Sequence, residues 1–301
     1  MEKIEVVGIG QACIDYLGTI DKYPPEDVKV ELTNLQMQCG GPAATAMVTL
    51  SRLGIKTSFI GSISDDDFGK KILQGLHSED IDTTHLKITP GFTSQFAFIA
   101  ITKKTAKRSI FWRRGNVPFL TSQDIKLGDF PDIKVLHLDS LMIEADIEAA
   151  IQAKKMGIKI VLDAGTMRKG IIRLLPYVDI IVASEFFAKP IVKGDITPEK
   201  SINALKKFCK GNIIITLGEK GSMGSFDGEI IHQKAFSVKA IDTTGAGDVY
   251  HGAYIYGLLQ GWKMRECMRF ASAVSAIKCR MIGAWNGIPI IEEVKKFLKK
   301  H

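Results

Sequence analysis

Cysteine is scarce in this sequence, and its spacing pairs nothing. Cys13, Cys39, Cys209, Cys267 and Cys279 are spread over 301 residues with no C-x-x-C among them. That argues against a zinc site or a disulfide framework and leaves buried free thiols as the expectation. Long hydrophobic runs are missing too: nothing approaches the ~18 apolar residues of a membrane span. The opening stretch MEKIEVVGIG carries acidic residues and reads as a first strand, unlike a secretory leader, and no N-x-[ST] acceptor occurs. A cytoplasmic setting with no membrane contact is expected. No G-x-x-x-x-G-K-[ST] is present, which excludes a P-loop kinase. Gly8-Ile9-Gly10 lacks the third glycine, the following helix and the acidic residue of a dinucleotide fingerprint. The net charge of +7 is not concentrated either. Its densest clusters are Lys103 to Arg108, Arg113-Arg114 and the tail Lys295-Lys296 with Lys299-Lys300, and no nucleic-acid motif accompanies them. A solvated surface and a pocket for an anionic ligand account for the charge, so nucleic acid is not an expected partner.

What is present is an ordinary soluble composition, 46% hydrophobic and 24% charged. Short β-branched runs alternate with helical periods, which argues for a mostly parallel sheet covered by helices. The strands are expected at Ile4–Gly10, Thr57–Ser62, Val135–Leu138, Lys159–Asp163, Asp179–Ala183 and Asn212–Leu217. Helices are expected at Ala43–Leu53, Phe68–Ser78, Glu144–Met156, Pro198–Cys209, Ala246–Leu259, Met264–Lys278 and Ile291–Lys299, with Gly54, Gly157 and Gly261 as caps after three of them. Residues 14–38 and about 92–112 break the rhythm and read as strands with little helix. They suggest a small projecting sheet whose apolar face must cover a ligand cleft, a second copy of the chain, or both.

The segment Asp242-Thr243-Thr244-Gly245-Ala246-Gly247-Asp248 opens a helical run. Small residues there let backbone N–H groups converge, and the helix N-terminus adds partial positive charge, so the segment is suited to an anion. Asp248 complements that helix end or acts as a general base beside the anion; spacing alone leaves both open. His251 is expected to pack inside the fold, and Tyr250, Tyr254, Ile255, Leu258 and Leu259 to form a core stripe.

The run D-T-T-G-A-G-D before a small-residue helix resembles the C-terminal signature of the PfkB, or ribokinase-like, carbohydrate kinase family. Gly40-Gly41-Pro42-Ala43-Ala44-Thr45-Ala46 resembles its N-terminal signature. Further similarity, spanning Ile4 to Pro289, lies at Asp15, at Thr216-Leu217-Gly218-Glu219-Lys220-Gly221, and from Ala276 to Ala284. The resemblance implies an α/β fold, a three-layer α/β/α body with a mostly parallel central sheet and a small β-sheet lid, forming one domain over 1–301. It implies ATP-dependent phosphorylation of a sugar hydroxyl, with magnesium and, in some members, potassium. Gly245, Ala246 and Gly247 would form the anion hole, and Asp248 would be the base. Asp15, Gly40, Gly41 and Thr45 would meet the sugar. Ser184, Thr216, Gly218, Gly221, Thr244, Gly247 and Gly283 would border ATP. Asp242 and Thr244 would belong to a monovalent-cation site. The family's N-x-x-E motif is altered here to Val182-Ala183-Ser184-Glu185-Phe186-Phe187, so Glu185 is a magnesium organiser or a surface carboxylate.

Some details resemble the ketose kinases, ketohexokinase and the sulfofructose kinases among them, in which a lysine at the place of Lys29 reaches a sulfonate. Lys29 with Arg113 or Arg114 is therefore expected to face the far end of an acidic or anionic ketose, the alternative being an exposed arginine pair. A nucleoside kinase, another sugar kinase of the family, or a non-catalytic ATP-sensing sugar binder remains an alternative, and a homodimer through the lid strands is expected.

Overall fold

The structure, a computed structural model, describes residues 3–226 and 228–301. Its first half runs β1 (Val6–Ile9), β2 (Cys13–Ile20), β3 (Asn34–Gly40), α1 (Pro42–Arg52), β4 (Thr57–Ile60), β5 (Ser62–Ile63), α2 (Asp67–Ser78), β6 (Lys87–Ile88), β7 (Phe96–Thr102), β8 (Arg108–Arg113) and β9 (Val135–Leu138). The second runs α3 (Ile143–Lys155), β10 (Lys159–Ala164), β11 (Ile180–Ser184), α4 (Pro198–Leu205), β12 (Asn212–Thr216), β13 (Ser222–Phe226), β14 (Glu229–Gln233), α5 (Ala246–Leu259), α6 (Met264–Lys278) and α7 (Ile291–Leu298). Eight strands form the main sheet in the order β14-β13-β12-β11-β10-β9-β1-β4. All neighbours are parallel except in the antiparallel edge made by β12, β13 and β14.

The apolar runs explain why the sheet is sandwiched. Along β10, Val161 packs toward α1, α5 and α6, while Ile160 and Leu162 pack toward α3 and α4. Ile214 and its neighbours Ile213 and Ile215 divide in the same way, all fully buried. A strand wet on one face would alternate with polar residues; these need helices on both sides. The six expected strands and seven expected helices are all present; Val135–Leu138, Ala246–Leu259 and Met264–Lys278 keep the expected bounds and the others have shifted ends. The strand expected over Thr57–Ser62 is interrupted at Gly61, and α4 stops at Leu205, where Phe208 N–H bonds back three residues to the Leu205 carbonyl. The β13–β14 hairpin and the short β5–β6 pair were not foreseen. Gly54, Gly157 and Gly261 follow α1, α3 and α5 at positive φ.

The two rhythm-breaking stretches join in a second sheet, β3-β2-β7-β8. Its register decides what faces the body, because side chains alternate along each strand. Gln38, Asp15, Ala97 and Trp112 share one cross-strand row. Leu17, Ile99 and Ile101 continue that face and pack with Ile282 of the body, and Arg108 stands opposite Ile101. Among the described residues no helix is long and apolar enough to cross a membrane.

Candidate active site

α5 is packed on nearly every side, with Val249, Ala253, Tyr254 and Ile255 all buried, so its first turn is rigidly placed. The chain enters it through Gly245 at φ 73°, a left-handed step that a side chain would strain, and a Cβ there would lie 2.8 Å from Ala284 Cβ. Ala246 N–H turns back to the Thr243 carbonyl at 3.2 Å. The N–H groups of Gly245, Gly247 and Asp248 have no acceptor among the described residues, and the space where a Gly247 Cβ would project is open. Two of the three expected anion-hole amides, joined by that of Asp248, are therefore available to an anion.

The Asp248 carboxylate, in the same turn, has no hydrogen-bond partner among the described residues. Burial pushes its pKa up to about 6, the Asp163 charge adds to that, and His251 and Arg108 pull the other way. Behind it lies a polar cluster in the core. His251 Nε2 sits 3.2 Å from Asp163 Oδ1. Burial alone would neutralise both, yet each holds the other charged: Asp163 is kept below the usual carboxylate range and His251 above the usual imidazole one. His137, 5.8 Å from His251 between ring centres, is instead driven down to about 3, first by burial and then by the His251 charge. Asp139 accepts from the N–H of Gln11 (2.6 Å) and of Leu141 (3.0 Å), tying the exits of β1 and β9 together.

On the lid side, Asp15 is buried, accepts from the Cys13 thiol at 3.2 Å, and is pushed up to about 7 by burial, with the Asp248 charge adding to the rise. A Cβ on Gly40 would lie 2.1 Å from Asp15 Oδ2, and one on Gly41, at φ 99°, would strike the Gln11 carbonyl at 2.5 Å. The two glycines thus admit the Asp15 carboxylate and the chain crossing beside it. Thr45 is a correction. It is fully buried, and its hydroxyl accepts from the Trp285 indole N–H at 3.0 Å, so it belongs to the packing of α1.

Other expected contacts move as well. Arg113 pairs with Phe96 in the row of Ile14, so alternation turns it to the lid face opposite Asp15. The Arg114 guanidinium stacks on Phe119, 3.8 Å from the ring centre. Lys29 is exposed in the loop between β2 and β3. The lid arginine that reaches the site is Arg108, which donates to Thr243 Oγ1 at 2.8 Å, beside the anion hole.

Ser184 and Thr216 end β11 and β12 at the carboxyl edge of the sheet, where open α/β sheets bind ligands. Their hydroxyls donate to the carbonyls of Gly165 (2.8 Å) and Ala183 (3.2 Å). Exposed Glu185 follows directly, and Gly218 faces open space. Thr244, Gly221 and Gly283 are each tied into the fold. Thr244 N–H and Oγ1 both donate to Asp242 Oδ1, and Gly283 N–H donates to Oδ2 at 2.8 Å. Gly221 abuts the Gln233 carbonyl. The oxygens expected to hold a monovalent cation are occupied: the carbonyls of Asp242 and Thr244 accept from the ammonium of Lys278. The donor set does not fit an added cation there.

Asp139, Asp163 and Arg108 were not foreseen, and Lys278 was expected only as part of the stretch from Ala276 to Ala284. Two of them carried a signal, an acidic residue at the end of consecutive parallel strands, Asp139 just past β9 and Asp163 in β10.

The chain matches the pfkB family carbohydrate kinases over residues 2–291. It is 32% identical to the ribokinase of Haemophilus influenzae, over 88% of this chain and 89% of that one. To the 5-dehydro-2-deoxygluconokinase of Clostridium perfringens it is 29% identical, over 99% and 94%. The ribokinase structure from Thermotoga maritima superposes with a TM-score of 0.81 at 25% identity, covering 98% of this chain and 99% of that one. With the glycine-bounded turn, the free amides and the lone carboxylate in place, these similarities establish that the chain belongs to the pfkB family of carbohydrate kinases.

Proposed function

We propose that residues 1–301 form one kinase unit that transfers the γ-phosphoryl group of ATP to a hydroxyl, a primary one, of a small acidic or anionic ketose. The observation that carries the chemistry is the Asp248 carboxylate beside the amides of its turn, none of them hydrogen-bonded among the described residues. ATP arrives as its magnesium complex along the carboxyl edge of β11 and β12, near Gly218 and Glu185. The sugar lies between body and lid, its hydroxyls on Asp15. Asp248 takes the proton of the accepting hydroxyl, that oxygen bonds to the γ-phosphorus, and the bond to the ADP oxygen breaks. The amides of Gly245, Gly247 and Asp248 hold the charge on the transferring group, and Arg108 adds a positive charge from the lid.

The anionic acceptor is supported by positive charge near the carboxylates. Arg108 acts on Asp248 and Arg168 acts on Asp139. One relative is named for a gluconate derivative, an acid. The exposed Leu35, Met37 and Phe111 of the lid favour a second copy as partner, which size exclusion with light scattering reads. Such a kinase works where ATP is supplied, in the cytoplasm.

An ADP-release screen of fructose, its 6-phosphate and 6-sulfo analogues, sugar acids, ribose and nucleosides tests the whole. An anionic ketose or sugar acid should lead. Preference for neutral fructose or a nucleoside would sink the acceptor class, and no turnover of any would sink the kinase.

A further inference from the structure

Lys278, the last residue of α6, is fully buried, a rare place for an ammonium. A buried lysine usually aims at a carboxylate. This one instead donates to two main-chain oxygens, those of Asp242 (3.2 Å) and Thr244. The charge that balances it is one step away: the Asp242 side chain, also fully buried, which accepts from Thr244 N–H, Thr244 Oγ1 and Gly283 N–H. The same strand of chain is tied to the end of α6 a second time, through Ile241 and Asp242 N–H to the Cys279 carbonyl at 2.8 and 3.2 Å. Carbonyl oxygens converging beside a carboxylate make a site for a small monovalent cation, and here the protein supplies the cation itself.

Its position bears on the chemistry. The Thr244 carbonyl and the Gly245 N–H belong to one peptide unit. In a trans peptide the two point in opposite directions, so an ammonium that fixes the oxygen also aims the N–H away from it, toward the open side of the turn. Withdrawing electron density at the oxygen makes that N–H a stronger donor. Burial works to lower the Lys278 pKa, and the Asp242 charge opposes it.

We propose that the Lys278 ammonium is a built-in cation that holds the Asp242–Thr244 turn and orients the first amide of the anion hole, so that phosphoryl transfer needs no added potassium, sodium or ammonium. The inference rests on the kinase reading above, and Lys278 acts as a positioning residue, through the Thr244 peptide.

The test compares wild-type turnover, with ATP, magnesium and the acceptor found by the screen, in tetramethylammonium buffer and in the same buffer with potassium. The two rates should agree within about twofold, while Lys278→Ala, which opens the space, should fall roughly a hundredfold without potassium and regain tenfold or more with potassium or ammonium. A merely structural lysine would give a loss that no cation relieves. That outcome overturns the proposal, as does strong potassium stimulation of the wild type, or a variant as active as wild type in tetramethylammonium. Thermal melting gives a readout that needs no acceptor: potassium should raise the melting temperature of Lys278→Ala and leave the wild type unchanged. Equal shifts in both, or a variant that stays unfolded in potassium, count against it. Should the wild type phosphorylate nothing, the kinase reading fails while the melting pair still decides on the built-in cation.

Discussion

At the scale of single residues, the site depends on close approach and on charge. Gly40 lets the Asp15 carboxylate lie where a methyl group would collide with it. Gly40→Ala should therefore displace Asp15 and raise the sugar KM roughly tenfold while ATP affinity holds, read by steady-state kinetics in both substrates. Charge enters through Asp248, which burial and Asp163 raise to about 6. As pH falls through about 6 the carboxylate takes a proton and stops serving as base, so kcat/KM should decline on that acid limb. Arg108 is one of the charges that lower this pKa, and removing a cation favours the protonated acid. Arg108→Ala should thus move the limb to higher pH as well as reduce the rate, which pH profiles of the two proteins resolve. Asp248 and Gly245 could be singled out from the sequence because the run D-T-T-G-A-G-D resembles the family's C-terminal signature; a carboxylate at a helix start, taken alone, serves equally well to complement the helix end. Arg108 could not, because it lies in the basic cluster Lys103 to Arg108, and only the register of β8 separates it from its solvated neighbours. Nor could the true setting of Thr45, since its partner Trp285 is 240 residues away.

At the scale of elements, α5 is held by contacts that leave no slack. A Cβ on Gly252 would lie 2.5 Å from the Ala46 carbonyl of α1, and one on Gly257 would lie 2.8 Å from Cys267 Sγ of α6. Gly252→Ala should cost about 1–3 kcal/mol by forcing α1 and α5 apart, and it should lower kcat with it, since α5 carries the proposed base. Thr45→Val separates the two effects. It leaves a buried indole N–H without its acceptor, which should cost about 1–2 kcal/mol in chemical denaturation, yet the sugar KM should not change. The helices and parallel strands were legible because burial on both faces writes itself as continuous apolar runs such as Ile213-Ile214-Ile215. The β13–β14 hairpin was not. Ser222-Met223-Gly224-Ser225-Phe226 has neither β-branched residues nor clean alternation, and it is a strand because it completes the sheet edge.

At the scale of the whole molecule, a sheet lies between two helical layers beside a small second sheet, and the proposed chemistry lies between the two sheets. The turn joining β7 and β8 touches the anion-hole segment, Arg108 through Thr243 Oγ1 at 2.8 Å and the Ala106 carbonyl accepting from the same hydroxyl at 3.4 Å. On the function proposed above, that contact holds the second sheet over the site at which water would compete with the sugar. Thr243→Val, which removes the hydroxyl and keeps the shape, should raise sugar-independent ATP hydrolysis relative to transfer, measured as ADP formed per sugar phosphate.

Everything at this scale turns on Asp248 being the base. The measurement that tests it most directly is the turnover of Asp248→Asn beside its ATP affinity. A rate lowered by roughly a hundredfold or more with nucleotide binding intact is predicted. A near-normal rate would contradict the account.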